Sequence, residues 1–428
     1  MNKEDNSSNL NFNCLSENSY HQIQILSNDI KNCLLIIIMT KVHELGQYFT
    51  TNLELKFNVV KMIQNNPTSI LEPSIGQGDL VISVKEKFPE VIFDMYEIDK
   101  SIILLDGIDK ENVMYVDFLK QNITTNYKTI IGNPPYVKTK AGNLHIDFTE
   151  KCFGLLEDNG ELIFIVPSDF LKLTSSGKLL EKMMLNGTFT DIYHPNKENL
   201  FTNASIDIMI FRYCKNRTLE KIVNFNNIAK HINYNNGFIV FSDEKKNDSM
   251  KLISDYFDIL VGQVSGNESV LKNAEFGNID VLNDENLMNK YIKIDEFPTD
   301  NLYLNDYLIK HKDVLISRGV RKFTEKNWFE FGLLRNCRSI ENYSGNKCIY
   351  IKNITRQSTV AFLGNVSYFG GGLIMLHPKK HINIVNVVEY LNSFTFKENF
   401  LFSGRFKIGH RQIFNSYIPE KCLLHDFY

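Results

Sequence analysis

With 428 residues and 43% apolar content, the chain is long enough to bury two separate cores, which excludes an intrinsically disordered protein. Its seven cysteines (Cys14, Cys33, Cys152, Cys214, Cys337, Cys348, Cys422) include no Cys-x-x-Cys pair and no histidine at ligand spacing. Neither a disulfide frame nor a metal site is therefore expected, and the thiols read as reduced and intracellular. The net charge of −3 is unevenly spread, with residues 301–428 holding 18 Lys/Arg against 9 Asp/Glu and residues 1–300 holding 29 against 41. An acidic front with a cationic last third suits a protein whose C-terminal part follows phosphates.

Residues 1–38 are rich in Asn and Ser without periodicity and are expected to be a disordered leader, with Met39 as an alternative start. The apolar run Leu34–Met39 has six residues, far below the roughly 18 needed to span a bilayer, and no membrane association is expected. Thr68–Leu71 reads as a buried strand that passes through Glu72, Pro73, Gly76 and Gly78 into a helix reaching about Phe88. Glycines there let the backbone approach a ligand, but the loop lacks both the G-x-G-x-x-G spacing and a following Lys-Ser/Thr, so a nucleoside fits better than a phosphate chain. A second strand, Val91–Tyr96, ends in Glu97, at the distance where doubly wound folds set an acid against ribose hydroxyls. A third, Val113–Val116, leads to Asp117 and Phe118, a carboxylate that can accept from an adenine amino group and a ring that can pack on it.

The apolar run Lys128–Gly132 then ends in Asn133-Pro134-Pro135-Tyr136. A strand stopped by a stiff turn, between an amide and a phenol, can grip a planar amino group at the open edge of a parallel sheet. The Asn133 side-chain oxygen and the Pro134 carbonyl can accept the two hydrogens of one NH2 group, and Tyr136 offers a face for stacking. Helical spacing follows from about His145 to Glu157, stopped by Asn159-Gly160, then a buried strand Glu161–Pro167. A helix near Gly177–Leu185 and strands near Asp191 and at Ile206–Tyr213 complete seven strands, and a boundary is expected at residues 215–217.

Within the cationic third, Arg318, Arg321 and Lys322 form one group, and Arg335, Asn336 and Arg338 follow the sole Trp328. Arginine can read guanine and asparagine adenine, so base and phosphate contacts are both available. A Gly-flanked basic loop with Arg405, Lys407 and Arg411 suits the DNA backbone.

The ordered motifs of residues 46–213 resemble the gamma class of N6-adenine DNA methyltransferases of restriction-modification systems, among the class I S-adenosylmethionine-dependent enzymes. Gly46–Thr50 is similar to the family segment that closes over the methionine end of the cofactor, which implicates Tyr48 and Thr50; Thr51 stands where a proline commonly follows. Leu200–Tyr213 is similar to the element whose phenylalanine, here Phe201, packs against the extruded base. The resemblance implies an α/β protein: a Rossmann-like seven-stranded catalytic domain (39–215), then a mixed α+β target-recognition domain (216–428). It implies S-adenosylmethionine as cofactor and double-stranded DNA as partner, with a separate restriction endonuclease as functional companion. It also implies a monomer in the cytoplasm of a bacterial or virus-infected cell. Methyltransferases of structured RNA or of protein glutamine share the Asn-Pro-Pro-Tyr loop and are the competing reading, as is a non-catalytic DNA-binding subunit.

Overall fold

The computed structural model describes residues 46–138, 142–201, 205–245 and 249–424. The expected leader and the alternative start at Met39 lie outside the described residues. Helix α1 (Leu53–Met62) is capped by Asn52, whose side-chain oxygen accepts from the Glu54 and Leu55 amides at 2.9 and 3.3 Å. Then come β1 (Ser69–Glu72), α2 (Asp79–Lys87), β2 (Ile92–Glu97), β3 (Val113–Tyr115), β4 (Tyr127–Gly132), α3 (Leu144–Gly154), β5 (Leu156–Pro167), α4 (Gly177–Asn186), β6 (Thr188–Tyr193) and β7 (Ile208–Cys214).

These seven strands lie in the order β3-β2-β1-β4-β5-β7-β6, with β1 to β5 parallel and β7 antiparallel to both neighbours. The expected α/β layer is present. Both faces are covered, which explains the near-continuous apolar runs. Along β5, Leu162, Phe164 and Val166 join the core under α3 and α4, while Ile163 and Ile165 join the one under α1 and α2. At the edge opposite the strand ends that carry the motifs, fully buried Glu161 pairs with Arg212 at 2.7 Å. It also accepts from Thr129 Oγ1 at 2.9 Å and from the Gln64 and Asn65 amides, tying the end of α1 to the sheet.

Two expectations are corrected. Asn159-Gly160 does not stop α3, which ends at Gly154; the pair sits inside β5, where the register with β4 shifts and Asn159 takes φ 63°. A Cβ on Gly160 would stand 2.9 Å from the Glu157 carbonyl and 3.0 Å from that of Tyr127, so the glycine serves a bulge. The sheet also has ten strands rather than seven. β8 (Ile222–Phe225) pairs parallel with β6, and β9 (Ile228–Asn235) and β10 (Phe238–Ser242) extend it as antiparallel neighbours, carrying it across residue 215.

Beyond β10 the chain is mixed α+β, built on a four-stranded antiparallel sheet of 257–261, 373–378, 347–352 and 361–365. It is fastened to the first layer at several points. Lys230 of β9 bonds both oxygens of Glu398 at 2.8 and 2.9 Å, and Asn399 brackets the Phe241 backbone at 2.8 and 2.9 Å. Asp207, just before β7, accepts from the Ser403 amide at 3.0 Å and hydroxyl at 2.7 Å, and Arg405 pairs with Glu198.

Candidate active site

The ends of β1, β2 and β4 converge on one cleft, lined by Tyr48, Phe49, Thr50, Glu72, Ser74, Ile75, Gly76, Gln77, Asp79, Leu80 and Asn133. Gly76 and Gly78 take φ +57° and +97°, left-handed values that favour glycine, and Gly78 opens α2. Glu97 ties this loop to β2: Oε2 accepts the Gly76 amide at 3.0 Å, and Oε1 accepts the Ile98 and Asp99 amides, both at 2.9 Å. Burial pushes the Glu97 carboxyl up, against those three amides. Each carboxylate oxygen can accept more than one hydrogen bond, so Oε2 keeps capacity for a ligand hydroxyl.

Glu72 is 1% exposed, and burial pushes its carboxyl up to about 8; the Ser74 amide, donating at 3.1 Å, opposes this, and the like-charged Glu97 adds to it. A buried acid with no cation among the described residues to offset it, beside a glycine cradle, fits a ligand that brings its own positive charge. Gly132 closes this wall, since a Cβ there would stand 3.0 Å from Glu72 Oε1 and from the Phe164 ring.

At the end of β4, Asn133 donates its side-chain amide to the Tyr48 carbonyl at 2.6 Å and to Thr50 Oγ1 at 3.1 Å. The Tyr136 hydroxyl lies against Asn133 Oδ1 and 3.1 Å from the Ile165 carbonyl. Burial raises the Tyr136 phenol well above its ordinary value, so it stays protonated. Tyr136, Tyr48 and Phe201 form a ring cluster, with Tyr136 and Phe201 centroids 6.1 Å apart.

Several site expectations come together here and others do not. Tyr48, Thr50, Glu72, Gly76 and Asn133 line the cleft; Pro73, Gly78 and Pro134 lie in its two loops, and Phe201 and Tyr136 stand beside it. Phe118 is instead 2% exposed in the core, its ring 5.2 Å from Tyr96 and 5.4 Å from Phe148. Asp117 caps the following turn through the Leu119 amide at 3.1 Å and pairs with Lys120 at 2.9 Å. Neither lines the cleft.

The sequence reading missed two residues. Asp99 is buried and accepts from Ser101 Oγ at 2.6 Å and from Gln47 Nε2 at 3.1 Å, linking the 46–50 segment to the end of β2. The Glu97-x-Asp99 spacing was its available signal. His145 is 4% exposed, meets Tyr136 edge-on at 6.2 Å, and has neither ring nitrogen hydrogen-bonded to a described residue; burial pushes it down to about 4. No local pattern marks it.

The basic residues divide. Arg318 is buried and donates to the carbonyls of Leu315, Ser265, Trp328 and Glu330 at 2.7 to 2.9 Å. Arg321 bonds the Gly332 and Phe331 carbonyls at 2.7 and 3.1 Å and Glu330 at 2.6 Å. Asn336 adopts φ 58° and donates to the Val261 carbonyl at 3.0 Å. Arg405 and Arg411 face the first layer, Arg411 through the Asn236 carbonyl at 2.8 Å. These five groups hold the fold together, whereas Lys322, Arg335, Arg338 and Lys407 are exposed.

Residues 22–201 match the family model described as Eco57I restriction-modification methylase. The Type II methyltransferase M.HincII of Haemophilus influenzae is 30% identical over 205 residues, which cover 43% of this chain and 40% of that protein. The Modification methylase CviBIII of Paramecium bursaria Chlorella virus NC1A is 32% identical over 144 residues, covering 29% and 38%. The match thus spans about two fifths of each relative's length. Among solved structures, the Type IIL restriction-modification enzyme MmeI in complex with DNA superposes with a TM-score of 0.53 at 9% identity, covering 92% of this chain and 67% of that one. That likeness is one of fold and extends into the C-terminal part.

Proposed function

We propose that this chain, whose residues 22–201 match the Eco57I restriction-modification methylase model, is a site-specific DNA methyltransferase acting on N6 of a flipped-out adenine. The observation that carries this reading is the shared wall of the site. Asn133, whose oxygen can grip an amino group, also lines the cleft beside Glu72 and Gly76, so acceptor and donor sites meet across one side chain.

The cofactor is S-adenosylmethionine, which supplies an electrophilic methyl group. Thr50, Glu72 and Gly76 would hold its methionine end and Glu97 would hold the ribose. Asn133 Oδ1 and the Pro134 carbonyl accept the two amino hydrogens of the base, which draws the nitrogen lone pair out of conjugation. Tyr136 and Phe201 stack and pack on the extruded ring, offsetting an unpairing cost of a few kcal/mol with roughly 1–3 kcal/mol. No group must remove a proton early, because the amine becomes acidic only as its new bond forms; the rate rests on positioning and electrostatics.

Residues 39–215 are read as the catalytic domain and 216–428 as the recognition domain, with β8 to β10 as their seam. Exposed Lys322, Arg335, Arg338 and Lys407 are the candidates for duplex contact. The chain is read as a single-copy modification enzyme paired in function with a separate endonuclease. Expression in a methylation-deficient bacterium, followed by modification-sensitive single-molecule sequencing, tests the proposal. N6-methyladenine confined to one short motif is expected; unmodified DNA from cells holding soluble, cofactor-binding protein would turn the reading to RNA or protein acceptors.

A further inference from the structure

Tyr48 stands in the space that the proposed reaction needs. Its ring stacks on Tyr136 with centroids 5.4 Å apart and planes inclined by 26°, and tilts against Phe201 at 5.7 Å and 38°. Phe201 and His145 both meet Tyr136 edge-on, at 6.1 and 6.2 Å. The stacked face of Tyr136 is therefore taken by another aromatic ring of the same chain. The polar half of the site stays open, because the Tyr136 hydroxyl takes one of the two acceptor positions of Asn133 Oδ1 and leaves the other for an incoming amino group.

Tyr48 is placed there by its backbone. Its carbonyl is held by Asn133 Nδ2 at 2.6 Å, and two residues upstream Gly46, at φ +61°, lies against the loop so closely that a Cβ would overlap Val137 Cγ2 and stand 3.1 Å from the Tyr136 amide. The ring itself is half-buried, packs on Tyr136 and Phe201 at the margin of the core under α1 and α2, and its hydroxyl makes no hydrogen bond among the described residues. Backbone anchorage with a ring free to rotate about its own side-chain bonds is what a displaceable group needs.

We propose that Tyr48 is a placeholder for the target base. Its ring keeps the stacking position on Tyr136 filled while no base is there and leaves it when the flipped base arrives. This rests on the methyltransferase reading above. The placeholder keeps the pocket dry and preformed, and the entering base exchanges one ring stack for another instead of filling a collapsed site. It also sets a threshold, since a base that stacks less well than tyrosine does not displace it.

The test compares two duplexes that contain the methylated motif, one with a mispaired adenine at the target and one with an abasic site there. The abasic duplex leaves Tyr48 in place, whereas the adenine must displace it. The quantity read is the ratio of the Kd for abasic DNA to that for adenine DNA. In Tyr48→Ala this ratio is expected to rise roughly 2- to 10-fold, the range given by loss of one aromatic pair. Tyr48→Phe, which keeps the ring, is expected to hold the wild-type ratio. A ratio that falls or stays constant in Tyr48→Ala overturns the proposal, because it would make Tyr48 a permanent wall or a bystander. Circular dichroism and the thermal unfolding transition check folding, and Tyr48→Leu replaces the alanine variant if that one does not fold. Wild-type protein that leaves genomic adenine unmethylated defeats the methyltransferase reading itself, a result distinct from a methylating enzyme whose ratio falls.

Discussion

The Tyr48 carbonyl accepts the Asn133 side-chain amide at 2.6 Å, and this one bond decides which way the Asn133 amide faces. A carbonyl can only accept, so the NH2 group must point to it and Oδ1 must point to the Tyr136 side. Oδ1 is thereby presented as an acceptor where the proposed reaction needs one.

Asn133→Ala is expected to lower methyl transfer by about 100- to 1000-fold, the scale for removing one oriented polar group at a reacting centre. Cofactor affinity should fall by no more than about fivefold, the worth of one hydrogen bond. Single-turnover kinetics with calorimetric cofactor titration separates the two; near-normal turnover would remove Asn133 from the mechanism.

Glu72 makes cofactor binding depend on pH. In the free protein its carboxyl is pushed up to about 8 against an ordinary 4.5, so it is mostly neutral at pH 7. A cationic ligand in the cleft favours the carboxylate, so binding releases a proton and affinity rises with pH until about 8. Folding stability runs the other way: between pH 4.5 and 8 the folded chain keeps a proton that the unfolded chain has lost, so Glu72 lowers stability as pH rises through that window. Calorimetry in buffers of different ionisation enthalpy measures the released proton, and Glu72→Gln should abolish the release.

Arg318 and the exposed cations should fail in different assays. Arg318→Ala leaves four carbonyls without their donor and should cost at least about 1–3 kcal/mol of stability, seen as a lower Tm. Arg335→Ala, Arg338→Ala and Lys407→Ala should leave Tm unchanged. Each should flatten the dependence of log Kd on log salt by about one unit if the side chain meets a phosphate. Unchanged salt slopes in all three would place the DNA on another face.

Asp207 fastens the two parts of the molecule. Burial pushes its carboxyl up, but His194 at 2.9 Å, Ser168 and Ser403 outweigh this and hold it below the usual range. Asp207→Ala should cost about 1–3 kcal/mol and loosen the Ser403–Arg405 loop. Differential scanning calorimetry is expected to show one unfolding transition splitting into two; a single transition at the wild-type Tm would show that the Lys230–Glu398 pair suffices.

The chemistry at residue 133 was legible because it is local: an apolar strand, a Pro-Pro stop, an amide and a phenol lie within nine residues, and their order alone places them at a sheet edge. The glycine loop and Glu97 were legible for the same reason, since left-handed turns and strand ends leave marks in adjacent residues. The positions of the first seven strands along the chain also followed, because a sheet buried on both faces must be written in apolar runs.

Tertiary structure alone decided what depends on distant partners. Phe118 and Phe201 are both aromatic residues beside strand ends, yet one packs between Tyr96 and Phe148 and the other beside Tyr48 and Tyr136, a choice made by which helix covers them. Arg318 and Arg338 look alike in a basic cluster, but only the fold brings four orphan carbonyls to the first. The extension by β8 to β10 escaped notice because its polar, Asn-rich strands carry little apolar rhythm and are defined by pairing with β6. A sequence records the propensities of neighbours, whereas burial, pairing and the closing of Tyr48 over Tyr136 are set by residues 88 positions away.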